Sequence, residues 1–395
     1  MGKIALTNAR IIDGTGCSPV ENGVVIIDGT MLEAVGPAES VIVPEGCRKI
    51  DIKGNTLLPS LIDGHMHVSG EPGRLDHMGH VKSNLSAAGM LQECLQWGTG
   101  TVAHAAGSPE NVVLSGLIES GRIRGCSNLL VSGAVTPTCG HVRGRSADGP
   151  WEIRKAVREM IAAGVDFIKT CASGGFQWEH EKLTHEDYTP EELKVLVEQS
   201  HSREKRVHVH AHAQPGLGNA ISAGCDVILH GVLIDDAALE GIAERKLWYM
   251  PTLHVTSEKF WGRPGIPAYM SERMKETNPF HREGVRKAFK MGIRIAVGTD
   301  GVPGSVMNEL YELTGCGLTP MDAIAAATSA TADALDILER TGTLEAGKTA
   351  DIIAVRGNPL KDISVLGKIE SVLMVMKSGE IYRDILDTLP SQMAG

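Results

Sequence analysis

The chain has 395 residues, 42% apolar and 22% charged, with a formal net charge of −10. It therefore reads as a globular protein large enough for a barrel with an appendage or for several domains. The acidic balance carries neither a nucleic-acid footprint nor a polybasic membrane patch, and no run approaches the length of a membrane span. Eight cysteines, at 17, 47, 94, 126, 139, 171, 225 and 316, are scattered without Cys-x-x-Cys pairs and read as reduced thiols. The first residues, from Met1 to Leu6, lack a signal core and a myristoylation pattern. The expectation is a cytoplasmic protein that binds no nucleic acid and no membrane and is free to form a homo-oligomer.

Residues 1–58 read as short strands broken by Gly, Asp and Pro, with β-rich runs from Ile4 to Ile12, Gly23 to Ile27 and Met31 to Val35. Residues 342–395 return to this composition, from Ala350 to Val355 and from Val372 to Met376. Neither end can bury a core alone, so the two are expected to pair into one small β-sandwich domain. Residues 59–341 lie between, and strand and helix patterns alternate there. β-Rich runs fall at 56–62, 99–104, 128–133, 165–170, 206–212, 226–230, 247–253 and 293–299. Helical patterns separate them, as from Thr189 to Glu198, where Thr189 is the expected N-cap and Pro190 the first helical residue. This alternation predicts an α/β fold, a (β/α)8 TIM barrel whose chemistry sits at the C-terminal ends of its strands.

His65 and His67 stand two apart at the end of the first barrel run. On a strand, residues i and i+2 point to one side, so both imidazoles would face one point, as a metal site requires. Lys169, His210, His230 and Asp300 fall at or near the ends of later strands, which a closed barrel gathers at one mouth. Taken singly each has a plainer reading: His230 as a core histidine, Asp300 as a helix cap, Lys169 as a holder of a substrate anion. A lysine ammonium cannot ligate a metal near neutral pH. Burial beside cations would depress its pKa, and carbon dioxide would then convert the amine to a carboxylate-like carbamate.

These motifs carry a resemblance that covers essentially the whole chain. The runs Leu61 to His67, Asp166 to Gly175, Val209 to His212, Ile228 to Gly231 and Gly298 to Asp300, with the tail from Gly342 to Ile353, resemble the amidohydrolase superfamily. The branch is the one that holds imidazolonepropionase-like proteins and Xaa-Pro-type dipeptidases. The resemblance implies two divalent metal ions, zinc first. His65, His67 and Asp300 would hold the more buried ion and His210 with His230 the more exposed one, with carboxylated Lys169 and a hydroxide bridging them. It further implies that His212 polarises the substrate carbonyl, that Asp300 moves a proton as well as ligating, and that His141 touches substrate. His208, one step deeper on the strand of His210, is expected to pack inside the barrel.

One departure bears on specificity. Where relatives commonly carry a Val-Arg-Asp-type sequence after the second strand, this chain has Thr101-Val-Ala-His104. His104 could point to the mouth or to the wall. His104 and His254 are candidate pocket residues, and Arg143 and Arg145 are candidates for gripping a carboxylate. His77, His80, His180, His185, His201 and His281 are expected in solvent. The implied reaction is hydrolysis of a C–N bond in a small-molecule substrate such as an N-acyl amino acid or dipeptide, with a cyclic amide, an imidazolone-like ring or a carbamate as the alternative. A mononuclear deaminase is disfavoured, since position 213 is Ala where that class carries a Glu, and Lys169 is present. A non-catalytic scaffold related to dihydropyrimidinase-like proteins would have lost ligands that this chain keeps.

Overall fold

A computed structural model describes residues 2–68 and 77–387. The strands run in chain order as β1 (Ile4–Ile11), β2 (Val20–Asp28), β3 (Met31–Pro37), β4 (Arg48–Asp51), β5 (Thr56–Pro59), β6 (Leu61–Met66), β7 (Thr99–His104), β8 (Asn128–Thr136) and β9 (Arg145–Ser146). They continue as β10 (Phe167–Cys171), β11 (Val207–Ala211), β12 (Val227–His230), β13 (Trp248–Met250), β14 (Arg294–Ile295), β15 (Ile352–Val355), β16 (Val372–Lys377) and β17 (Glu380–Asp384).

Both ends of the chain share one eight-stranded sheet in the order β17-β16-β15-β5-β1-β2-β3, with β4 on β1. Its hydrogen bonds describe a single sheet. Leu6, Ile11, Ile27, Leu57, Ile352 and Met374 are fully or almost fully buried in a cluster contributed by both termini. The apolar run read as one strand over 56–62 is in fact two. Thr56–Pro59 pairs with β1 and β15, and at Ser60 the chain crosses over, Ser60 N donating to Asp351 O at 2.9 Å and Leu61 N to Gly98 O at 2.9 Å. Burial on every side makes both halves apolar, so periodicity could not divide them.

The second sheet is parallel and runs β14-β13-β12-β11-β10-β8-β7-β6, with β9 on the edge of β8. The expected strand over 293–299 is regular only at Arg294–Ile295. Its continuation closes the ring against β6: Gly64 N donates to Val297 O at 2.9 Å, and Thr299 N and Asp300 N both donate to His65 O, at 3.1 and 2.7 Å. Glycine is needed at this seam, because a Cβ on Gly298 would stand 2.6 Å from His65 Cβ and one on Gly64 would stand 2.8 Å from Val297 O. The sheet thus curls on itself as a TIM barrel does, with helices outside. One of them, Pro190–His201, starts as expected from the N-cap Thr189, whose side chain forms a capping box with Glu192. No helix among the described residues is long and apolar enough to cross a membrane.

Candidate metal centre

Closure of the barrel at β6 brings the ends of distant strands together. Asp300 Oδ1 lies 3.1 Å from His67 Nε2 and 3.6 Å from His65 Nε2. The His65 and His230 rings are 5.1 Å apart, His210 and His230 4.5 Å, and His210 and His212 4.4 Å. The tightest group is His65, His230 and Asp300, whose ligand atoms all lie within 4.8 Å of one another. That group crosses the division implied by the resemblance, since it sets His230 with His65 and Asp300; His67 turns Nε2 to Asp300, and His210 turns Nε2 to Gly174 O at 3.3 Å.

Lys169 is 1% exposed and donates Nζ to Thr170 O at 3.2 Å. Burial lowers its pKa, and its charge acts in turn on His65, His210, His230 and Asp300. Burial likewise holds His65, His210, His212 and His230 well below the ordinary histidine range, so their imidazoles are neutral and keep a lone pair for a ligand. Burial alone would raise the Asp300 carboxyl, but the His67 hydrogen bond and the positive field of the neighbouring groups, Lys169 among them, hold it below the usual range. Neutral nitrogens around an ionised carboxylate form a donor set that suits zinc and its neighbours. His212 Nδ1 is buried without a hydrogen-bond partner beside this group, as a site built for something more than protein would leave it.

Two centre residues have left-handed backbones, His230 at φ 69° and Asp300 at φ 50°, and so does Thr252 at φ 52°. Such strain in non-glycine residues marks over-determined functional positions. At His230 the determinants are visible. Thr252 Oγ1 lies 2.7 Å from its Nδ1, and its carbonyl accepts from Tyr249 Oη and from His281 Nε2, each at 2.9 Å. His281, expected in solvent, is therefore fully buried, with Nδ1 2.9 Å from Thr256 Oγ1. No local pattern singled it out, because its helix joins the barrel only through tertiary packing. Asp63 was also unassigned. Its Oδ1 accepts from His65 N at 3.1 Å and Thr299 N at 3.0 Å, and its Oδ2 from Thr299 Oγ1 at 2.6 Å, which pins the two strands that carry His65 and Asp300.

A cavity of about 420 Å3 opens above the group. His67, His141, His210, His212, His230 and Asp300 line one side, with Arg143 and Gln177 also on its wall. His141 stacks on His210 at 4.1 Å, and its Nδ1 meets Glu181 Oε1 at 2.8 Å, a partner the sequence did not signal. Ser173 Oγ accepts from His212 N at 2.8 Å.

Three candidate substrate residues are not brought to this cavity. Arg145 lines a neighbouring cleft of about 740 Å3, and its guanidinium is taken by Glu159 at 3.0 Å and Glu152 at 3.4 Å. His104 is 1% exposed in the barrel wall, with Nδ1 3.3 Å from Met66 O. His254 is buried with Nε2 3.2 Å from Ser305 Oγ. His208 packs inside the barrel against Phe167, ring centres 4.3 Å apart. His180, His185 and His201 are exposed and His80 is half-buried; the side chain of His77 lies outside the described residues.

Residues 56–382 match the family described as Amidohydrolase family. The chain belongs to the amidohydrolase family. This amidohydrolase is 29% identical over 94% of its length to ochratoxinase of Aspergillus niger, of which it covers 85%. It is 24% identical to imidazolonepropionase of Anaeromyxobacter sp. (strain K), over 90% of this chain and 89% of that one. Among solved structures it is similar to a Xaa-Pro dipeptidase with methionine bound in the active site, with a TM-score of 0.86 and 27% identity over 97% of this chain and 100% of that one.

Proposed function

We propose that this amidohydrolase is a binuclear, metal-dependent hydrolase that cleaves the C–N bond of an N-acyl amino acid or dipeptide. The observation that carries the reading is the group of buried His65 and His230 with half-buried Asp300 at a histidine-lined cavity. His65, His67 and Asp300 would hold one ion, His210 and His230 the other, and Lys169 as its carbamate would join them, with zinc the ion of choice. When bound, such ions act as Lewis acids and acidify water.

The chain's own groups do the rest. His212 and His141 face the cavity, where an N–H directed at the carbonyl oxygen would stabilise charge that develops there. Water oxygen bonds to the carbonyl carbon, the C–N bond breaks, and one proton must reach the leaving nitrogen. Asp300 is placed for that transfer, on the cavity wall with Oδ1 3.1 Å from His67 Nε2. Arg143 on the cavity wall would take the substrate carboxylate by a two-pronged hydrogen bond. The methionine held by the similar dipeptidase supports an amino-acid product. The likeness to imidazolonepropionase keeps a cyclic amide as the second reading. We further propose that residues 1–58 and 342–395 act as one β-sandwich unit beside the barrel of residues 59–341.

The test is metal analysis with a substrate screen. Purified protein should carry about two divalent ions per chain and, zinc-loaded, release amino acids from N-acyl amino acids or dipeptides. Lys169→Ala should fold, lose an ion and lose most activity. One ion per chain with a fully active Lys169→Ala protein would overturn the binuclear reading, and turnover confined to cyclic amides would select the second substrate class.

A further inference from the structure

The cavity has two unlike halves. Beside the histidines, with the Phe176 ring 5.3 Å from that of His212, Phe176, Val255, Phe260, Met270 and Met274 form an apolar wall and pack into one cluster backed by Leu183, Ala213 and Val232. No charged residue lines this half, although the guanidiniums of Arg263 and Arg273 lie 5.6 and 5.8 Å from the ring centres of Phe260 and Phe176. Asp300, at the metal centre, is the sole acid among the described lining residues, and Arg143 the sole lysine or arginine.

One helix, Ala268–Lys290, supplies both methionines. Tyr269 and Arg273 stand four apart on it and reach one loop: Tyr269 Oη donates to Gln177 O at 2.7 Å, and Arg273 donates to Trp178 O at 3.1 Å, to Gly175 O at 3.2 Å and to Glu181 O. Met270 and Met274, the adjoining i, i+4 row, line the cavity. The guanidinium of Arg273 also lies 5.8 Å from the ring centre of Phe176, so the same clamp fixes the loop's contribution to the wall.

We propose that this wall selects the amino acid released from the scissile bond, accepting apolar side chains and rejecting charged ones, with Met270 a specificity-determining residue. The inference rests on the reading of the site as one for N-acyl amino acids or dipeptides. An apolar side chain gains by leaving water for this surface. A lysine or aspartate side chain there would be desolvated with no opposite charge among the residues that line the wall. Methionine is unbranched and adaptable, so the wall discriminates between apolar and charged side chains more than among leucine, methionine and phenylalanine. A volume of about 420 Å3 is enough for a small acylated amino acid.

The experiment compares N-acetyl-leucine, N-acetyl-lysine and N-acetyl-aspartate on zinc-loaded enzyme, by kcat/KM and, independently of turnover, by calorimetric binding. Leucine should lead both charged side chains by about 100-fold, the scale of pocket discrimination. Met270→Lys, at a half-buried position, should reduce the leucine preference over aspartate by at least about tenfold while leaving lysine disfavoured. Thermal melting confirms that the variant is folded, and Met270→Ala supplies a second, uncharged probe that should weaken leucine alone. Indiscriminate turnover, or unchanged ratios in both variants, overturns the inference and leaves the reaction assignment standing. Selective binding of N-acetyl-leucine without hydrolysis, lost in Met270→Lys, overturns the reaction assignment and supports the wall. Absence of both binding and hydrolysis overturns both.

Discussion

Glu181 and His141 form a partly buried acid–imidazole pair, Oε1 to Nδ1 at 2.8 Å, and His141 is at the same time stacked on His210. With Nδ1 held by the carboxylate, Nε2 is the nitrogen left to work in the cavity. Glu181→Ala should cost about tenfold to a hundredfold in kcat/KM, the usual loss when an orienting partner is removed from a working imidazole. Glu181→Gln keeps an acceptor oxygen and should recover much of it. Equal losses in both variants would mean that the carboxylate acts by its charge and does not orient the ring.

Thr252 stands in the same relation to His230, with Oγ1 2.7 Å from Nδ1. Thr252→Val should weaken zinc retention by about tenfold to a hundredfold in competition with a chelator, and Thr252→Ser should restore it. Unchanged retention in the valine variant would show that the backbone alone orients His230.

Glu309 is fully buried and accepts from Leu253 N at 2.9 Å and His254 N at 2.7 Å. Burial pushes its carboxyl up to about 8, despite those two bonds, which act the other way. The folded chain therefore holds a proton that the unfolded chain has released. The stabilisation is complete below the ordinary glutamate pKa of 4.5 and is lost as pH rises through about 8. Glu309→Gln, which cannot titrate, should show a flatter fall of Tm from about pH 5 to about pH 9. A Tm difference from wild type that stays constant across that range would contradict the raised pKa.

The terminal sheet provides a test of the proposed division of the chain. β5 pairs with β1 on one side and with β15 on the other. Removal of residues 1–58 and 342–395 would take away β5 itself, all but Pro59, with both its partners, and uncover the barrel's apolar surface that Leu58, Ile353, Val372 and Val375 cover. A protein of residues 59–341 should aggregate, as exposed apolar surface usually does. A soluble, metal-binding barrel of that length would make the terminal sheet dispensable.

The amino-acid sequence alone determined the class of the fold and singled out the candidate donor residues. His65 and His67 share a face because a strand repeats every two residues, and Thr189 starts a helix because its side chain caps it; both are local rules. Strand alternation then places His210, His230 and Asp300 at one end of a barrel. Local rules could not split the apolar run at Ser60, since a strand buried on all sides has no polar face to mark its sheet. Nor could they decide among histidines whose flanks look alike. His281 proved to be an inner support of His230, while His104 and His254 turned away from the cavity and Arg145 was claimed by Glu152 and Glu159. The Glu181–His141 pair and the apolar wall clamped by Arg273 join segments far apart in the chain. Tertiary packing decides these, because each is a contact between surfaces that meet only once the barrel has closed.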